Sequence, residues 1–331
     1  MTTAVAPPAA EVRPARDHRW LRFILRRTGR LVVSLWVLMT AAFLMVHLIP
    51  GDPVRAALGP TASAELVAAR REALGLNDPL LVQYVNYFRG VFTGDFGTSI
   101  QTNVPVVDVI AQRLPATASL AVLAFLFALV ISIPIGVAVA VATRRGRGRK
   151  LELGFASGSV FVSAIPDFLL GVALVAVFGV SLGWLPIAGR TGPESYILPV
   201  IALALGPAAV LARIVRVEML GVLEADFVRT ARAKRLPAWR IYLSHALPNA
   251  VTAALTLAGL LLGTLVVGTV LVENVFAWPG LGSTIVSSIQ MKDYPVVQAT
   301  VLVYGAGVLI INTVVDAILA VLDPRTTVAE H

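Results

Sequence analysis

The sequence predicts an all-α polytopic membrane protein with six transmembrane helices. Three observations carry this expectation. The 331-residue chain is 57% hydrophobic and 14% charged, with a mean hydropathy of +0.82; soluble domains run to about 45–50% apolar and about 25% charged residues. Its apolar residues fall in runs near the roughly 20 residues that a helix needs to cross a hydrocarbon core. Its basic residues cluster between those runs. A water-soluble chain of this length cannot hide so much apolar surface in one core. Lipid offers no partner to open backbone groups, so the runs must be helices.

The elements follow in order. Residues 1–12 are Ala/Pro-rich and are expected to be disordered. Residues 13–30 carry seven arginines, so 1–30 reads as a basic cytoplasmic segment. The first apolar run, 31–49, exceeds the roughly 7–15 residues of a signal-peptide core and reads as a retained span. Five more runs fall at 116–142, 153–180, 197–215, 249–272 and 296–322. Several hold Gly or Pro (Pro134, Gly136, Pro166, Gly171, Gly206, Pro207), and small residues let neighbouring membrane helices approach closely. The Ala/Gly/Val-rich 249–272 run suits a packed interior helix.

The 50–113 segment is too long for a simple turn. It predicts helices at 62–74 and 79–91, followed by a turn at Gly94-Asp-Phe-Gly-Thr-Ser99. We read it as a small extracytoplasmic cap. Residues 31–115 then form the first helix with its cap, 116–322 a core transmembrane domain, and 323–331 a cytoplasmic tail. No internal repeat of fixed period is visible.

Charge sets the orientation. With both termini, 143–150 and 213–248 inside, 20 of the 27 Lys/Arg are cytoplasmic. The run Arg144-Arg145-Gly-Arg147-Gly-Arg149-Lys150 is a short basic loop, the strongest kind of topology signal. The same rule explains the net charge of +8 better than nucleic-acid binding does. There are no cysteines, and the four histidines (His18, His47, His245, His331) lie far apart, so no metal-ligand pattern or thiol nucleophile is present. No Gly-x-x-x-x-Gly-Lys-Ser/Thr phosphate loop and no nucleophile–base pattern occurs.

The most informative stretch is Glu224–Asn249, between spans four and five. Asp226 is expected to cap a helix over 227–234, and Pro237 to sit in the first turn of a second helix. Ala225, Ala231 and Ala233 among Arg229, Arg232 and Lys234 suggest close docking into a protein groove flanked by acidic partners. The competing reading is a basic loop against anionic headgroups.

The residues Asp226-Phe-Val-Arg-Thr-Ala-Arg-Ala-Lys234 and His245-Ala-Leu-Pro-Asn249 resemble the "EAA" signature of bacterial ABC importer permeases, and more narrowly the dipeptide/oligopeptide/nickel family. The resemblance continues at Ile49-Pro-Gly-Asp-Pro53, Leu74-Gly-Leu-Asn-Asp-Pro79, Gln83-Tyr84, Gly94–Ser99, Arg113-Leu-Pro-Ala-Thr117, Glu273-Asn-Val-Phe-Ala-Trp-Pro-Gly-Leu-Gly282 and Asp316…Leu322-Asp-Pro-Arg325. It covers roughly 20–325. It implies a type I ABC importer permease fold in the bacterial plasma membrane. It also implies a second homologous permease, one or two ABC ATPase subunits and an extracytoplasmic solute-binding protein. ATP and Mg would bind on the partner ATPase, and this chain would bind no cofactor. The implied cargo is di- or oligopeptides. Carried over residue by residue, Glu224, Asp226, Arg229, Thr230, Ala231, Arg232, Ala233 and Lys234 would contact the ATPase, with His245 holding the second helix. Arg235 departs from the family's usual glycine, which supplies a left-handed turn; an L-residue there costs roughly 1–2 kcal/mol. We expect Arg235 to add a charge contact to an acidic ATPase surface.

Two rival readings are an ion-coupled secondary transporter, disfavoured by the missing inverted repeat, and a membrane scaffold. Within the spans, Asp167 has two readings: a pathway group that meets a peptide amino terminus, or a structural group in a wet cavity or ion pair, the latter favoured. Glu273 with Phe276 and Trp278 reads either as part of a closing outer gate or as an interfacial aromatic anchor. His47 and Asp316 read as structural.

Overall fold

The computed structural model describes residues 19–48, 52–59, 61–73 and 75–322. The sequence features at 1–18, 49–51, Leu74 and 323–331 lie outside the described residues. The order of elements is α1 (Arg19–Leu48), α2 (Pro53–Leu58), α3 (Ala64–Ala73), α4 (Leu80–Thr93), α5 (Val106–Thr143), α6 (Arg149–Ala164), α7 (Asp167–Leu174), α8 (Ile197–Glu224), α9 (Asp226–Ala233), α10 (Ala238–Arg240), α11 (Leu247–Val275), α12 (Leu281–Gln290) and α13 (Tyr294–Leu322). Among the described residues there is no strand, only an isolated bridge between Thr98 and Pro105.

Among the described residues, five helices are long and apolar enough to cross a membrane. A sixth crossing arises only if the pair α6 and α7, bent by 93° at its break, counts as one span. The single span at 153–180 is therefore corrected to a broken one. Pro166 is the cause. It has no N–H to give, and it pushes Ile165 out of the helical region (ψ 123°). The chain restarts as α7 and runs on as a π-helix over Val175–Ser181.

Other boundaries also move. α5 begins at Val106, ten residues before the apolar run, and at 38 residues is about 57 Å long. α8 runs on to Glu224 rather than ending at 215. α1 begins at Arg19, inside the basic segment. In the cap, α3 and α4 lie close to the predicted helices. α2 was not expected; Asp52 caps it by accepting from the Val54 and Arg55 amides.

The core forms where α5 lies on α8. Ala116, Leu120, Ala124, Ala128, Ser132, Gly136 and Ala140 are all buried and recur every fourth residue, a single ridge along the helix. It meets Ala204, Ala208 and Ala212 on α8, also four apart and buried. A Cβ on Gly136 would stand 2.7 Å from the Ala212 carbonyl oxygen, so only glycine permits this approach. α11 joins the layer through buried Ala250, Ala254 and Ala258. α13 packs on α11 and carries α1 on its far side. Arg27 of α1 pairs with Asp316 of α13 and also donates to the Asn312 carbonyl at 3.3 Å. Trp36, Val130, Phe161 and Val180 stay exposed, as lipid-facing residues must.

Candidate functional site: the coupling loop and the ends of the bundle

At one end of the bundle, α9 leaves α8 through Ala225, an extended residue (ψ 152°) whose side chain has no acceptor to offer the first turn. The expectation that Asp226 caps this helix is corrected. Asp226 lies within the first turn, fully presented to solvent, and accepts from Arg229 at 3.2 Å. Its carboxylate still opposes the positive end of the helix. Pro237 likewise sits one residue earlier than expected, capping α10, which runs into a π-helix over Ile241–Ala246.

Burial divides α9 into two faces. Val228 (0% exposed) and Ala231 (6%) point into a cluster with Ala140, Met219, Leu223, Ile241 and Ala246. Ala231 therefore does not belong to an exposed docking face, and its expected contact with an ATPase is corrected. Its small side chain lets α9 lie close against α8. Phe227, Arg229, Thr230 and Ala233 are exposed, as are Glu224, Lys234 and Arg235 beside them. Phe227 had not been singled out; a large apolar side chain 46% exposed on this helix is the strongest sign of a partner surface here. Arg232 reaches back to the Leu223 carbonyl at 3.1 Å and so ties α9 to α8. His245 lies in the π-helical turn, and its carbonyl accepts from Asn249 Nδ2 at 2.8 Å.

Arg235 takes the left-handed conformation (φ 55°). The Arg235 amide donates to the Arg232 carbonyl at 2.9 Å and the Leu236 amide to the Ala231 carbonyl at 3.3 Å. This pair of bonds closes the helix as a Schellman turn, and Leu236 packs on the Val228 cluster as that motif requires. The turn that a glycine would form is kept, and Arg235 carries the strain of an L-residue in that conformation. Arg216 fixes the same end from the other side. It donates to Glu152 at 2.7 Å and to Thr143 at 3.2 Å, joining α8 to α5 and α6.

At the opposite end, the Glu273–Gly282 segment folds onto its own carboxylate. Glu273 is 0% exposed; its Oε1 accepts from the Thr117 hydroxyl at 2.6 Å and its Oε2 from the Ser283 amide at 3.0 Å. Thr117 Oγ1 also accepts from the Leu281 amide at 2.8 Å. A Cβ on Gly282 would stand 2.9 Å from Oε2, and one on Gly280 would overlap the carboxylate. The glycines of the motif exist to let the chain wrap this group. Phe276 (1%) and Trp278 (0%) are fully buried, and Trp278 Nε1 donates to the Ala116 carbonyl at 3.1 Å. The interfacial-anchor reading of these two aromatics is corrected: they are wedged among α5, α8 and α11 and present no surface to a headgroup layer. Tyr196 meets Trp278 edge-on at 4.5 Å.

Asp167 opens α7 beside the break and is half-buried. Its carboxylate lies between two glycines, about where a Cβ on Gly206 (3.6 Å) or on Gly268 (3.0 Å) would meet it. Among the described residues it has no hydrogen bond and no ion pair, so the paired reading finds no support. His47 bridges helices instead: its ring contacts the Phe43 carbonyl at 2.8 Å and Gln83 Oε1 at 3.1 Å.

Five long apolar helices and one broken pair, with a short amphipathic helix at one end that packs one face on α8 and exposes the other, make up a multi-pass membrane subunit. The chain belongs to the binding-protein-dependent transport system inner membrane component family, whose model matches residues 132–328, with the N-terminal model of the same system matching 20–121. It is 41% identical to the glutathione transport system permease protein GsiC of Salmonella typhimurium and 39% identical to GsiC of Escherichia coli K12, each over 92% of this chain and 98% of the relative. A solved chain of the MetNI methionine ABC transporter, in inward-facing form, superposes with a TM-score of 0.54 at 23% identity, covering 65% of this chain and 96% of that one, and shows the shared fold. The protein is thus an ABC importer permease subunit of the inner membrane, not an ATPase itself and not an ion-coupled carrier.

Proposed function

We propose that this permease carries short peptides or peptide-like molecules inward, together with a second homologous permease. The observation that carries the cargo class is the 39–41% identity, over nearly the whole chain, to permeases named for glutathione, a tripeptide. A solute-binding protein delivers cargo at the α2–α4 cap, which lies outside. Both termini lie inside, by the charge distribution. One or two ABC subunits bind ATP and Mg, and this chain binds no cofactor.

The mechanism runs through α9. Phe227, Thr230 and Ala233 enter a groove on the ATPase, and Glu224, Asp226, Arg229, Lys234 and Arg235 line its rim. The side of α9 that carries Val228 and Ala231 packs on α8 and on the Ile241–Ala246 turn. Arg232 and the Schellman turn make α9 a rigid lever rather than a loose loop. When the ATPase subunits close, α9 moves with α8, and α8 carries α5 through the alanine ridge. Alternating access is then a rigid-body change between two packings, biased by nucleotide. Asp167, unpartnered at the break between α6 and α7, faces the wet pathway. Glu273, Phe276 and Trp278 hold the outer end closed.

The test is reconstitution of the importer in proteoliposomes with labelled glutathione and di- to tetrapeptides. Uptake that requires ATP and the binding protein supports the reading. Uptake of other solutes with no peptide carried would overturn the cargo class.

A further inference from the structure

A groove of about 480 Å³ runs along the last turns of α5, at the same end of the bundle as α9. Its floor is α5 between Pro134 and Ala142, about 12 Å of helix, and its wall is Trp239, Tyr242 and Leu243. The floor stays open because Ala138 and Ala142, one turn apart, are small. The wall comes from residues spaced i, i+3 and i+4, which share one side of the segment after α9. The other side of that segment, with Ile241 and Ala246, is buried in the cluster that holds Val228 and Ala231. Trp239 and Leu243 remain 58% and 53% exposed. The lining is almost wholly apolar, so a water in the groove finds no partners for its hydrogen bonds. Hydrocarbon suits it.

The end of the groove is cationic. α5 stops at Thr143, and Arg144, Arg145, Arg147, Arg149 and Lys150 follow at once. Two guanidiniums are held on the groove's own aromatics. Arg144 lies over the Tyr242 ring, 5.4 Å from its centroid, and Arg240 over the Trp239 ring, also at 5.4 Å. A ring face orients a guanidinium and leaves its charge without a counter-ion. Among the described residues, neither Arg144 nor Arg240 has an ion pair. Glu152, the acid nearest to Arg144 in sequence, is taken by Arg216 at 2.7 Å. An apolar slot at the end of a membrane helix, with two oriented and unpaired guanidiniums beside it, complements a molecule with a hydrocarbon tail and an anionic head. Basic clusters at the cytoplasmic boundary attract anionic lipid, and a tryptophan at that depth sits among headgroups.

We propose that this groove holds an acyl chain of an anionic phospholipid, whose phosphate is taken by Arg144 and Arg240. The lipid braces α5 against the Ile241–Ala246 turn, beside the cluster that seats α9. The site depends on neither the peptide cargo nor the ATPase contact.

The test uses the assembled importer in nanodiscs of phosphatidylcholine and phosphatidylglycerol, with one lipid or the other supplied as a photoactivatable acyl-chain analogue. Labelled residues are mapped by peptide mass spectrometry. Wild type is expected to carry label at 134–142 and 239–243, at least tenfold more from phosphatidylglycerol than from phosphatidylcholine. Arg144→Gln and Arg240→Gln should each cut that excess about fivefold, as loss of one cation against an anionic lipid does, and together should abolish it. Arg147→Gln with Arg149→Gln removes the same charge away from the groove and should leave the excess unchanged. Ala138→Trp fills the floor and should remove label from both lipids. Thermal unfolding should match wild type throughout, because no ion pair within the chain is lost. Equal labelling by the two lipids in wild type overturns the site. So does an excess that survives loss of Arg144 and Arg240, or one that falls equally with loss of Arg147 and Arg149. A density map of the assembled importer in which the ATPase or the second permease fills the groove overturns it as well.

Discussion

Thr117→Val is the sharpest probe of how the Glu273 end of the bundle is built. Thr117 is 4% exposed and serves two groups through one oxygen. Its hydroxyl donates to Glu273 Oε1 at 2.6 Å and accepts from the Leu281 amide at 2.8 Å. Valine matches threonine in volume, so no cavity is created. It removes a hydrogen bond to a carboxylate, worth about 1.5–3 kcal/mol, and orphans a buried amide at about 1–3 kcal/mol. The two losses share one atom, so we expect about 3–5 kcal/mol of destabilisation. Thr117→Ser keeps both bonds and should cost about 1 kcal/mol for the lost methyl. Unfolding by heat or by SDS titration in matched mixed micelles reads the difference. Thr117→Val lying within about 0.5 kcal/mol of wild type would refute the reasoning, since Glu273 would then not depend on this hydroxyl.

Two further predictions concern the coupling end and the pathway. Arg235→Gly should relieve the strain at φ 55° and raise stability by about 1 kcal/mol, while weakening salt-sensitive ATPase assembly; unchanged assembly and coupled hydrolysis would remove Arg235 from the contact set. Asp167→Asn should leave folding intact, because no bond depends on the charge, and should lower uptake of peptides with a free amino terminus relative to their acetylated forms; unchanged preference would remove Asp167 from the pathway.

Much of this fold is legible in hydropathy and charge, because lipid imposes length and helicity together. What escaped was set by tertiary contact. α5 starts early because Pro115 lies inside a helix that packing sustains, although Asp108 and Arg113 break the apolar run. The α6–α7 break was signalled by Pro166 but read as a bend; its 93° angle depends on neighbours. The small-residue ridge of α5 is a four-residue period in the sequence, but apolar neighbours on every side of the helix mask it. In the coupling loop the helix was legible, while Arg235 at a usual glycine left open whether the turn stays left-handed, as it does (φ 55°), and Ala231 was assigned to the wrong face. Val228 and Ala231, three apart, were the signal that one side of α9 is buried.

The proposed coupling places the exposed face of α9 on the ATPase and keeps the Ala231 face inside the permease. The chain contains no cysteine, so single cysteines can be placed without background. Phe227→Cys, Ala233→Cys and Ala231→Cys are each introduced into the assembled importer, with cysteines along the candidate groove of the ATPase, and crosslinking is followed with and without ATP. Crosslinks are expected from positions 227 and 233, with a pattern that changes with nucleotide, and none from position 231. Crosslinks from 231 with none from 227 or 233 would contradict the proposed coupling.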